Sequence, residues 1–179
     1  MNKICQKCKG KGKRFGLRFA GGSMGYGFPA AVGFALSKKL RGEEGKVFIL
    51  LSDGECQIGT FYESLLIAKQ HNLSNLVILV DNNRFCAMGL TKDILNIEPL
   101  DIRFKDFGLE IQRIDGHSFE DIENALNNVS ETLPNMVICD TIKGYGVSKF
   151  EGDNTYHYKA PSEEEFKEAM LDLNKIYGS

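Results

Sequence analysis

The chain has 179 residues, 42% of them hydrophobic, with 22 basic against 24 acidic side chains and a formal net charge of -2 at pH 7. That is one domain's worth of chain, able to bury a sizeable core, and its interspersed charges leave no electrostatic footprint for nucleic acid or a membrane surface. No apolar run approaches the roughly 18 residues of a membrane span and the N-terminus lacks the apolar core of a secretory signal, so the expected compartment is the cytoplasm.

Residues 1–20 read as a basic arm, and 21–179 as a single domain. The arm holds Cys5 and Cys8 in CQKCKGKGKRFG. A zinc knuckle would need a second Cys or His pair at ligand spacing, and none follows nearby; the alternative is a flexible arm without metal. After the turn Gly22-Ser23-Met24-Gly25-Tyr26-Gly27, Pro29 stands at a first helical position and Ala30 to Leu40 carries apolar residues at helical spacing. Lys46 to Leu51 (KVFILL) and Asn75 to Val80 (NLVILV) are short, rich in β-branched residues and bounded by turn signals, as buried parallel strands are. Between them Phe61, Leu65 and Ala68 repeat on one face of a helix running from Thr60 to near His71. The unit is βαβ, with a right-handed crossover.

Further on, Leu109 to Ile114 and Asn135 to Ile142 read as strands flanking a helix from Phe119 to Val129, with Ser118 as its N-cap. A last amphipathic helix follows Ser162, where Ser-Glu-Glu-Glu has the form of a capping box. Cys56, Cys86 and Cys139 lie in or beside buried segments, where free cysteine packs as a small hydrophobe. The fold class predicted is α/β: a doubly wound, mainly parallel sheet with helices on both faces.

The first strand ends in Ser52-Asp53-Gly54-Glu55, and Asn83 ends the second, thirty residues after Asp53. Each strand thus delivers an oxygen-bearing side chain to the carboxyl edge of the sheet, where open α/β sheets bind ligands. A carboxylate with an amide oxygen suits Mg²⁺, which is usually held by a few protein oxygens and phosphate oxygens together. Asp53 could instead merely cap the helix near Thr60. Gly54 would let a diphosphate approach the backbone.

DG, a gap of about thirty residues and then DNN resembles the thiamine-diphosphate motif. Three further segments resemble the transketolase branch in the same order: GSMGYG leading into FPAAVGFALSKK, IDGH (114–117) and TIKGYGVSKFEGDNTYHYKAP (141–161). The resemblance covers roughly Gly21 to Pro161. It implies thiamine diphosphate and Mg²⁺ as cofactors, with Asp53, the Asn83 side chain and the Phe85 carbonyl as metal ligands and Glu55 beside them in the cofactor site. It also implies that Gly22 and the Met24 backbone lie against the aminopyrimidine and thiazolium rings. His157 matches the histidine facing diphosphate and substrate oxygens, a position from which a neutral imidazole could shuttle protons, and Lys159 matches a cation of some members. His71 and His117 read as mainly structural.

The reaction so implied is transfer of a two-carbon ketol unit between sugars or sugar derivatives, with the hard chemistry supplied by the cofactor. The carboxylate that activates the aminopyrimidine comes in this family from a pyrimidine-binding domain, for which these residues have no room. The chain therefore resembles one subunit of a split enzyme, paired with a separate pyrimidine-domain subunit, expected as a heterotetramer. Met24, Tyr26, Phe28 and Phe61 are candidates for the exposed apolar patch that would meet it. Two departures stand out: Ser52 replaces the family's usual glycine, and Ile58 replaces a glutamate that joins the carboxylate network between sites. The alternatives are a subunit of a 2-oxo acid decarboxylase or dehydrogenase, against which the 141–161 segment argues, and a non-catalytic regulatory module of the same fold.

Overall fold

The structure, a computed structural model, describes residues 21–178, so the basic arm and its CQKC pair lie outside the described residues. In chain order the elements are α1 (Gly27–Leu40), β1 (Val47–Ser52), α2 (Gly59–Gln70), β2 (Leu76–Asn82), the hairpin β3 (Phe85–Cys86) and β4 (Gly89–Leu90), α3 (Thr91–Leu95), α4 (Leu100–Lys105), β5 (Glu110–Asp115), α5 (Phe119–Asn127), β6 (Asn135–Asp140) and α6 (Glu163–Tyr177). Two 3-10 turns, Asp53–Gln57 and Asn154–His157, carry residues of the site.

Strands β1, β2, β6 and β5 lie in that spatial order and pair in parallel throughout. The register aligns Ser52 with Asp81, and Asn82 and Asp115 with Asp140, so the strands end in one polar row. Because side chains alternate between faces, Ile49, Leu51, Ile78, Val80, Met136 and Ile138 share one face, and α1, α2 and α4 close over it. Phe61 is the hub of that layer, with ring centroids 4.9 Å from Phe28 and 5.2 Å from Phe104.

On the opposite face Gln112 donates to the Ala125 carbonyl of α5 at 3.1 Å. The connection from β5 back to β6 thus runs over the other side from α2, as right-handed crossovers demand when the strand order reverses. This is the doubly wound α/β arrangement expected from the sequence. The caps hold as well: Ser118 accepts from the Asp121 amide, and Ser162 and Glu165 form the full capping box of α6.

Two expectations differ. Phe28 and Phe61 have no exposed surface and belong to the core, because helical periodicity turns them onto the sheet; only Met24 and Tyr26 of the four proposed patch residues face solvent. The hairpin β3–β4 and the helices α3 and α4 were not foreseen, since elements of two to six residues hold too few positions for a period to show.

Candidate functional site

Asp53 follows β1 as the first residue of its 3-10 turn, and the turn is capped by Ser52, whose hydroxyl accepts from the Glu55 amide. The helix that follows, α2, has Ile58 at its N-cap and no side-chain cap bond, so capping that helix is not the work of Asp53. Asp53 is 2% exposed, and among the described residues its carboxylate is held only by backbone donors, the Gly54 amide at 2.8 Å and the Arg84 amide at 2.7 Å. Among the described residues no lysine or arginine pairs with it. Burial pushes its pKa up to about 6 against the pull of those two amides, with Asp81 and Glu98 adding like charge. A buried carboxylate without a counter-cation is what a divalent ion would relieve.

Arg84, whose amide reaches Asp53, lies between Asn83 and Phe85. The Asn83 amide oxygen accepts from the Phe85 backbone N–H at 2.9 Å, while its nitrogen donates to Asp81 at 3.2 Å. Asp53 and the 83–85 turn thus meet at the carboxyl edge of β1 and β2. Gly54 sits beneath them, and a Cβ there would lie 3.3 Å from the Cys86 Cβ and 3.6 Å from the Met24 Cε. Among the described residues no three His, Cys, Asp or Glu converge on a metal; a carboxylate, an amide oxygen and a carbonyl are instead the hard oxygen donors Mg²⁺ prefers.

The glycine turn is tied to the same segment. Gly25, at φ +86°, donates its amide to Glu55 Oε1 at 2.8 Å, and its carbonyl accepts from the Thr60 hydroxyl at 3.0 Å. Glu55, only 6% exposed, is occupied by the turn itself. Ile58 precedes α2 and packs against Gly25, so the departure from glutamate places an apolar contact there. Gly22 is exposed, with open space around its α-carbon.

Beside Asn83 lies an open cavity of about 370 Å³, lined by Asp81, Asn83, His117, Thr141 and Lys143 among others. Thr141 donates its hydroxyl to Asp81, and His117 Nε2 accepts from the Ile142 amide at 2.8 Å while its ring stacks on Tyr145 at 3.8 Å. His117 therefore shapes the loop after β6. His157 is exposed and does not itself line the cavity; its Nδ1 lies 3.4 Å from the Nζ of Lys143, which does. Asn154 of the same turn donates to the Ala87 carbonyl at 3.2 Å, docking it on the β3–β4 hairpin.

Lys159 is not among the residues lining the cavity. Its ammonium donates to Glu165 at 2.8 Å and stands 5.2 Å from the centre of the Tyr156 ring, fastening the loop to α6. Among the described residues the lysine lining the cavity is Lys143, which the sequence reading did not single out although it stands in TIKGYG, three residues past β6.

Most of the chain is similar to known proteins. Residues 7–175 match the family described as transketolase, thiamine diphosphate binding domain. The chain is 36% identical over 164 residues to one subunit of an apulose-4-phosphate transketolase of Actinobacillus succinogenes, an alignment covering 91% of this chain and 59% of that protein. It is 33% identical over 162 residues to one subunit of a 6-deoxy-6-sulfo-D-fructose transketolase of a Clostridium species, covering 89% and 59%. The crystal structure of Campylobacter jejuni transketolase superposes with a TM-score of 0.78 at 30% identity, covering 84% of this chain and 25% of that one.

The fold and sequence define a thiamine-diphosphate-binding α/β domain. The chain belongs to the transketolase family, in its N-terminal, thiamine diphosphate binding part. It spans about 59% of the length of these two subunit relatives.

Proposed function

We propose that this chain is the diphosphate- and metal-binding subunit of a two-subunit, transketolase-like transferase that moves a two-carbon ketol unit between sugars or their phosphates. The observation that carries the reading is Asp53: a buried carboxylate, with no cationic partner among the described residues, brought beside the Asn83–Phe85 turn at the carboxyl edge of the sheet. Asp53, the Asn83 amide oxygen and the Phe85 carbonyl would hold Mg²⁺, and Gly54 would leave room for the diphosphate. Lys143 joins them as a phosphate ligand, since an ammonium at the rim offsets charge that Mg²⁺ leaves uncompensated. Met24, close over Gly54, would flank the cofactor rings, with Gly22 on the same turn.

When bound, thiamine diphosphate supplies the nucleophilic carbon and the electron sink for ketol transfer. The protein's part is orientation and proton movement. His157, whose Nδ1 lies 3.4 Å from the Lys143 ammonium of the cavity wall, is the residue for holding or passing a proton at a substrate oxygen. The pyrimidine-activating carboxylate would come from a separate pyrimidine-domain subunit. One relative is named as a single subunit of an apulose-4-phosphate transketolase, which supports both a divided enzyme and a sugar phosphate substrate.

Titration calorimetry with thiamine diphosphate tests the reading, with and without Mg²⁺, on the chain and on its complex with the partner. Mg²⁺-dependent binding that disappears in Asp53→Ala, with the fold retained, is expected. Undiminished binding by that variant would overturn the metal assignment.

A further inference from the structure

Behind the metal turn lies an ion cluster that the proposed chemistry does not use. Arg113, on β5, donates from Nε to Asp140 Oδ2 at 2.7 Å and from Nη2 to Asp140 Oδ1 at 2.9 Å, a two-point pair. The same guanidinium reaches Glu98 at 3.2 and 3.3 Å and Asp101 at 3.3 Å. Three carboxylates thus share one cation on the carboxyl side of the sheet.

The Arg113 side chain is 27% and Asp140 38% exposed, and a two-point arginine–carboxylate pair inside a network is the geometry in which a partly open ion pair can still stiffen the fold. The cluster also reaches the metal turn by two routes. Asn82, the last residue of β2, is 2% exposed, and its Nδ2 donates to both Asp140 Oδ1 at 2.7 Å and Glu98 Oε1 at 3.0 Å. Arg84 donates from Nη2 to Asp140 Oδ1 at 3.4 Å.

Asn82 and Arg84 flank Asn83, so Asp140 grips the chain on either side of one proposed ligand. Arg84 also has φ +69°, a left-handed conformation that a bulky residue keeps only when its surroundings hold it there. Its amide is fixed by Asp53, its carbonyl by the Thr91 amide at 2.9 Å, and its side chain by Asp140.

We propose that Asp140, itself held by Arg113, is a positioning residue that sets the Asn83–Phe85 turn in its metal-binding conformation. The inference rests on the reading of Asp53, Asn83 and Phe85 as Mg²⁺ ligands. Partners behind metal ligands typically matter by about 10- to 100-fold in metal affinity. In Asp140→Asn the side chain keeps its size but loses its charge, and its amide nitrogen can no longer accept from a donor.

The test is Mn²⁺ titration of the full chain in excess thiamine diphosphate, read by calorimetry and by electron paramagnetic resonance. The variants are Asp140→Asn, Glu98→Gln as a milder break, and Arg113→Lys, which keeps the charge but not the two-point geometry. Expected is a loss of about tenfold or more in Mn²⁺ affinity for Asp140→Asn, smaller losses for the other two, and circular dichroism like the parent's. Parent-like Mn²⁺ affinity in Asp140→Asn and Glu98→Gln, alongside lost affinity in Asp53→Ala, would overturn the positioning role and leave the metal site standing. Parent-like affinity in Asp53→Ala would remove the site and this inference with it.

Discussion

Glu55 Oε1 accepts the Gly25 amide proton at 2.8 Å, joining two turns that are thirty residues apart in the chain. One turn carries Asp53 and Gly54, the other Gly22 and Met24, so this bond fixes the spacing between the proposed diphosphate and ring ends of the cofactor site. Glu55→Ala leaves the Gly25 amide without its acceptor, and a bond to a charged group contributes about 1.5–3 kcal/mol. Cofactor affinity should fall roughly tenfold or more, while Glu55→Gln, which keeps an acceptor oxygen, should lose less; calorimetry on both variants checks the order.

His157 and Lys143 meet at 3.4 Å but have different proposed duties. His157→Ala should lower turnover by roughly 10² to 10⁴ if the imidazole transfers a proton, with little change in cofactor affinity. Lys143→Ala should do the reverse first, weakening thiamine diphosphate binding. Steady-state rates and binding isotherms on the assembled enzyme separate the two, and an unchanged rate in His157→Ala ends the proton-transfer role.

The acid limit of the C-terminal helix follows from Glu165. Its hydrogen bond from Lys159, joined by the Ser162 amide and the Tyr156 hydroxyl, lowers its pKa from 4.5 to about 2. A depressed folded value means the stabilisation is present above the ordinary carboxylate range and is lost as pH falls through about 4.5 toward 2. The parent should therefore lose more stability over that window than Glu165→Gln, which has no such proton to take up. Denaturant midpoints at several acid pH values decide it.

Phe61 touches Phe28 on α1 and Phe104 on α4 with no exposed surface of its own. Phe61→Ala opens a cavity where three helices meet, for a loss of about 3–5 kcal/mol in unfolding free energy. Chemical denaturation measures this directly, and a loss under about 1 kcal/mol would mean the aromatic layer is less closely packed than the distances indicate.

Met24, Tyr26 and Met88 are 45%, 70% and 75% exposed, and all three belong to turns at the carboxyl edge of the sheet. Apolar side chains gathered beside a cofactor site mark a docking surface, and the pyrimidine-domain subunit is the expected occupant. Co-expression should yield a heteromer, expected with two copies of each subunit, that binds the cofactor more tightly than this chain alone. Tyr26→Glu should weaken that assembly without unfolding the chain; light scattering reads the first and circular dichroism the second.

Much of this was legible in the residues themselves. The β-branched runs at 46–51 and 75–80 and the caps at Ser118 and Ser162 are local signals, and each appears within a residue or two of its expected place. So are Asp53 and Asn83, because a polar residue that ends a buried strand of a parallel sheet arrives at its carboxyl edge whatever surrounds it. Partnership is another matter. That Glu55 serves Gly25, that Lys159 is spent on Glu165 while Lys143 lines the cavity, and that Arg113 gathers Glu98, Asp101 and Asp140 all join residues whose spacing has no period. Those contacts arise only when the strand order β1-β2-β6-β5 brings distant strand ends side by side, which is why the tertiary structure alone decided them.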